Sequence, residues 1–159
     1  MNSDDLAWQA DNYGGLPPRK VDLLLEHGHL DLVIRAAEER GEWFCAERAA
    51  QELCRSHEFG RALKMTEPFV ATGWPTALWA KAGILLRAGR TDEALDLVRP
   101  DKEGRTSQTV CRHFAELLTR AGRVDEAIDL LVPHIGEPWI RTPWWRSPKA
   151  RNVTSGCWS

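Results

Sequence analysis

Residues 84–100, ILLRAGRTDEALDLVRP, and residues 116–134, ELLTRAGRVDEAIDLLVPH, are two versions of one phrase, and their reading decides the fold. Aligned on Gly89 and Gly122 they lie 33 residues apart. The same frame finds two looser copies upstream, LLLEHGHLDLVIRAA at 23–37 with Gly28 at the turn and ELCRSHEFGRALKM at 52–65 with His57 in its place. The spacings of 29, 32 and 33 residues are those of stacked helix pairs.

Each copy has a physical logic. Before the turn, apolar residues recur at helical spacing, as in Leu78, Ala82, Leu85 and Leu86. Gly89 and Gly122 suit the left-handed conformation that closes a helix, and Arg87 and Arg120 sit where a cation meets its negative end. Thr91-Asp92-Glu93 offers a capping hydroxyl and acids for the next helix. Ala94 and Ala127 are small enough to let two helices approach. Pro68, Pro100 and Pro133 are expected to end the second helices, because proline cannot continue the hydrogen-bond ladder.

With Gly89 and Gly122 as turn glycines, the chain resembles the tetratricopeptide repeats. Ala82, Leu85, Ala94 and Val98 fall on that family's packing positions in one copy, and Ala115, Leu118, Ala127 and Leu131 in the next. The resemblance is nearest to divergent actinobacterial arrays with AGRxDEA repeats and GEW or GDW turns, matched here by Gly41-Glu42-Trp43 and Gly73-Trp74. It covers roughly 21–140, specific in the last two copies and loose in the first two. The expected fold is all-α: an α-solenoid of about four helix-turn-helix hairpins. A flexible segment, 1–20, would precede it, and an irregular basic tail, 141–159, would follow.

Composition agrees with a globular chain, 43% hydrophobic and 28% charged. The net charge of −2 hides an asymmetry: the tail holds four basic residues and no acid, leaving 17 basic against 23 acidic residues in 1–140. An acidic body argues against a nucleic-acid binder. No apolar run approaches the roughly 20 residues of a membrane helix, and the start lacks the pattern of a secretory signal, so a cytoplasmic protein is expected. Cys45, Cys54, Cys111 and Cys157 form no CxxC pair and read as thiols.

The tail, RTPWWRSPKARNVTSGCWS, admits three readings. It can act as a basic, Trp-rich binder of a membrane surface or nucleic acid through Trp144, Trp145, Arg146, Lys149 and Arg151. It can be a solvated end. It can also be an out-of-frame product. Read one base earlier, Trp144-Trp145-Arg146 becomes Leu, Met or Val, then Val, then Glu or Ala. GC-rich codon choices, in keeping with 16 Arg against 5 Lys, extend this into another amphipathic helix with a Gly…Asp-Glu turn. In that case Trp139 and Ile140 begin a helix whose remainder is missing. The uncapped last hairpin would then favour self-association.

No catalytic constellation emerges. Cys54 with His57 and Cys111 with His113 lack zinc-site spacing, and GxSxG, HExxH and phosphate-loop motifs are missing. The paired acids Asp92-Glu93 and Asp125-Glu126 recur at equivalent positions and serve helix starts. A non-enzyme without metal or cofactor is expected.

What the tetratricopeptide resemblance implies is a concave groove for an extended peptide. Its non-packing positions carry over to Glu47, Gln51 and Arg55, then Trp79 and Arg87, then Arg112, Glu116 and Arg120. Arg55, Arg87 and Arg120 share one repeat position and would hold carboxylates, while Trp79 would anchor an apolar side chain. The implied partner is a protein or peptide with acidic groups. The same arginines also help to close their helices wherever they occur.

Overall fold

Four residues with positive φ sit where the repeat frame puts its turns: Gly28 at 77°, His57 at 60°, Gly89 at 78° and Gly122 at 79°. The computed structural model describes residues 2–12 and 15–134, and there each of these residues joins two helices. Among the described residues there are nine α-helices and no strand. They are α1 (Ser3–Asn12), α2 (Pro18–Glu26), α3 (Leu30–Arg40), α4 (Trp43–Arg55), α5 (Phe59–Val70), α6 (Pro75–Arg87), α7 (Thr91–Val98), α8 (Gln108–Arg120) and α9 (Val124–Leu131).

The four turns are built alike. The residue after each left-handed position donates its N–H five residues back: His29 to Leu24, Glu58 to Leu53, Arg90 to Leu85 and Arg123 to Leu118, at 2.8 to 2.9 Å. This pattern satisfies carbonyls that a helix end would otherwise leave open. The same four residues then accept the first bond of the next helix, from Val33, Ala62, Ala94 and Ala127, all of them buried. The small side chains sit where the two helices of a hairpin pack.

The helix starts differ from the expected capping. Arg90, not Thr91, precedes α7, and its guanidinium grips Glu93 at 2.8 and 2.6 Å. Arg123 holds Glu126 at 2.5 Å in the same register, and Glu58 with Arg61 repeats the pair with its charges exchanged. The arginine holds the Glu93 carboxyl below its usual range, first by the hydrogen bond and then by its charge.

Pro68 does not end α5, contrary to the reading of that residue as a stop. It removes one donor near the helix end, on an exposed face, and the chain continues to Val70 because Phe69 is buried. Pro100 and Pro133 do lie just beyond α7 and α9.

A helix also stands where a flexible lead was expected. In α1, Leu6 is fully buried and the helix packs on α4. Gln9 fixes it there, donating to the Gly41 carbonyl and accepting from the Trp43 N–H, both at 3.2 Å.

The chain divides between Val98 and Arg99 into two compact units, inside the stretch expected as one repeat domain. In the first, each helix from α2 to α6 packs on its successor, while α2 also touches α4, α3 touches α5 and α4 touches α6. Leu53, Ile84 and Leu95 are fully buried, each contributing about 1.5–3 kcal/mol by leaving water. The second unit pairs α8 with α9 over Cys111, Phe114, Ala115, Leu118 and Ala127. No helix among the described residues is long and apolar enough to cross a membrane. Trp139, Ile140, Cys157 and the whole tail lie outside the described residues.

Candidate functional site

Helix α4 buries Cys45, Ala46, Ala49, Ala50, Leu53 and Cys54. Glu47, Gln51 and Arg55 lie along one stripe beside these, since residues four apart share a helix face, and Gln51 is buried within it. Between this stripe and α2 lies a cavity of about 470 Å³, lined by Asp22, Leu25, Glu26, Arg48, Gln51, Glu52 and Arg55. Arg48 is its organiser. Its guanidinium pairs with Asp22 across the hairpins, donates to the Gln51 amide oxygen at 3.0 Å and lies 5.9 Å from the Phe44 ring centre. Gln51, expected as a ligand contact, is 9% exposed and braces Arg48. Arg55 is 65% exposed and pairs with Glu52 of its own helix at 2.5 Å.

Glu47 belongs to a second, smaller recess of about 220 Å³, whose walls include Leu16, Pro18, Trp43, Phe44 and Trp74. The wall ahead of α2 is set by Glu42, a buried carboxylate that accepts from the Leu16 N–H at 3.1 Å and the Cys45 thiol at 3.2 Å. Trp43 and Trp74 meet edge to face. The Glu47 carboxylate forms no hydrogen bond or ion pair among the described residues. Burial pushes its carboxyl above the usual range, and the Arg48 charge offsets this in part.

On α6, Trp79 and Arg87 are half-buried. Arg87 ends its helix as Arg55 ends α4, and the two ends are neighbours: Arg87 is close enough that its charge opposes the upward push of burial on the Cys54 thiol. Arg112, Glu116 and Arg120 belong to the second unit, exposed four residues apart along α8, with Arg112 3.3 Å from the His113 imidazole. Burial first, then Arg112, lowers the pKa of His113, against the opposing charge of Glu116.

Neither sulfur–imidazole pair converges on a metal. His57 turns its ring against Phe59, while the Cys111 thiol points to the Arg105 carbonyl at 3.2 Å. Among the described residues no three His, Cys, Asp or Glu side chains form a ligand group.

Sequence reasoning missed Arg48 and the aromatic recess. The partners of Arg48 are 26 residues earlier and three later, and only folding brings α2 beside α4. The Gly-x-Trp and Gly-Trp turns were visible, but not that their indoles meet. No protein-family model, curated protein or solved structure matches this chain.

Proposed function

We propose that this chain is a non-catalytic protein-interaction module, a tetratricopeptide-like stack of helical hairpins that receives an extended peptide along α4. Four like turns at near-regular spacing support the repeat reading, as do the contacts of α2 with α4 and of α4 with α6. The observation that carries the functional reading is the polar cavity between α2 and α4, flanked by the stripe of Glu47, Gln51 and Arg55. Arg55 supplies the preference for a carboxylate. Its pair with Glu52 is a surface pair within one helix, worth about 0.5 kcal/mol, so a peptide carboxylate can replace Glu52 at little cost. Asp22, Glu26 and Glu52 line the same cavity, so the acidic preference is local to the arginine end.

Selection of displayed random octapeptides on the full chain tests this. Enriched peptides should carry acidic groups and weaken at least tenfold on Arg55→Gln or Arg87→Gln, with an unchanged melting temperature. Failure to enrich any peptide, or equal binding to the variants, rejects the reading.

A second reading concerns α9. Val124 and Ile128 of this helix and Val132 just past its end, four residues apart, are 48%, 54% and 50% exposed, an apolar stripe suited to a second copy of the chain. Sedimentation should show association that Ile128→Asp abolishes; a monomer at high concentration removes it.

A further inference from the structure

The recess over Glu47 is chemically unlike the cavity beside it. Its walls are mostly apolar and aromatic, and among the described residues its only charged lining group is a carboxylate and no cation lines it. Arg48, whose charge acts on Glu47, is committed to Asp22 and Gln51. The Gln9 side chain at the rim is committed at both ends as well. A half-buried carboxylate without a partner is costly unless a cation arrives. Aromatic walls favour the same visitor, because their quadrupoles attract ammonium groups. At about 220 Å³ the recess is below the roughly 300–1,000 Å³ of small-molecule sites, and it fits one long side chain.

We infer that this recess takes the alkylammonium group of a lysine side chain presented by the peptide that binds along α4. The inference rests on the interaction-module reading and specifies its ligand. Leu16, Pro18 and the rings receive the methylene stem, and Glu47 receives the charge. Arg55 lies eight residues further along α4, about 12 Å at 1.5 Å per residue. An extended chain covers that in three to four residues at roughly 3.3–3.6 Å each. The ligand is therefore bipolar, with a lysine three to four residues from an acidic side chain or a terminal carboxylate.

The test uses the full chain and a fluorescein-labelled octapeptide taken from the selection, with its lysine replaced by norleucine in a second version. On the wild type, norleucine should cost at least tenfold in affinity; on Glu47→Gln, less than twofold. Moving the carboxylate to one or seven residues from the lysine should cost a further tenfold. Equal losses on both proteins, or enriched peptides without lysine, overturn the inference and leave the interaction module standing. No enrichment of any peptide removes both. n-Butylammonium chloride is the comparison arm. Saturable tryptophan quenching by it below millimolar concentration, lost in Glu47→Gln and without peptide binding, would assign the recess to a free amine and overturn the peptide source.

Discussion

The indoles of Trp43 and Trp74 meet edge to face, with centres 5.2 Å apart and planes at 86°. Phe69 closes on Trp43 from α5 at 5.3 Å. Trp43 opens α4 and Trp74 precedes α6, and each follows a left-handed glycine, Gly41 or Gly73, that turns the chain out of the previous helix. The trio thus ties the hairpin of α4 and α5 to the helix that follows it.

Trp74→Ala should therefore cost about 3–5 kcal/mol, the loss of a buried aromatic plus its edge contact. Trp74→Phe keeps an edge to present to Trp43 and should cost less than half as much. Urea unfolding followed by far-ultraviolet circular dichroism measures both. A cost below 1 kcal/mol for the alanine variant would mean that this contact does not join the helices.

His57 is the one described non-glycine residue with positive φ, and it holds the conformation that glycine adopts at the other three turns. A left-handed residue with a Cβ is strained by about 1–2 kcal/mol, and glycine gives back part of the relief through its freer unfolded chain. His57→Gly should then stabilise the protein by about 0.5–1 kcal/mol, retaining the Glu58-to-Leu53 turn bond. His57→Ala keeps the strain and loses the ring contact with Phe59, so the order of melting temperatures should be Gly, His, Ala. Alanine at or above glycine would show that the turn is not strained.

That turn also shows how much of the fold the residues announced. Gly28, Gly89 and Gly122 mark their turns chemically, and the repeat frame placed His57 among them against its own propensity. Helix α1 escaped because Leu6 is its one buried side chain, too little for a periodic signal. Pro68 misled because a proline stops a helix only where the rest of the chain lets it, and Phe69 holds the last turn in place. The stripe of Glu47, Gln51 and Arg55 follows from spacing along one helix. The bond of Arg48 to Asp22 and the meeting of Trp43 with Trp74 depend on packing between hairpins, which no local pattern encodes.

The described cysteines, Cys45, Cys54 and Cys111, are buried, and burial raises each thiol. Cys45 is pushed up to about 12, by desolvation first and then by its hydrogen bond to the Glu42 carboxylate. At pH 8 this leaves roughly a thousandfold less thiolate than an ordinary cysteine has. Iodoacetamide should modify Cys45 at least a hundredfold more slowly in the folded protein than in urea, as read by peptide mass spectrometry. Labelling at near-denatured rates would contradict the buried pair with Glu42.

Glu47 carries a sign that stability measurements can read. Its folded pKa is raised by burial, so between the ordinary carboxyl value and the raised one the native state binds more protons than the unfolded chain. Stability contributed by this group therefore falls as pH rises through that window and stays lower above it. The other polar side chains lining the recess, Gln9 and Thr76, do not titrate, and Arg48 opposes the shift only in part. Glu47→Gln removes the penalty. It should melt above the wild type at pH 7.5 and together with it near pH 4, by calorimetry at matched ionic strength. Binding of a lysine-bearing peptide should reverse the order at pH 7.5, because only the wild type then gains a charge partner. A variant less stable than the wild type at pH 7.5 without peptide would mean that Glu47 already has its cation, and the recess would lose its reason to bind one.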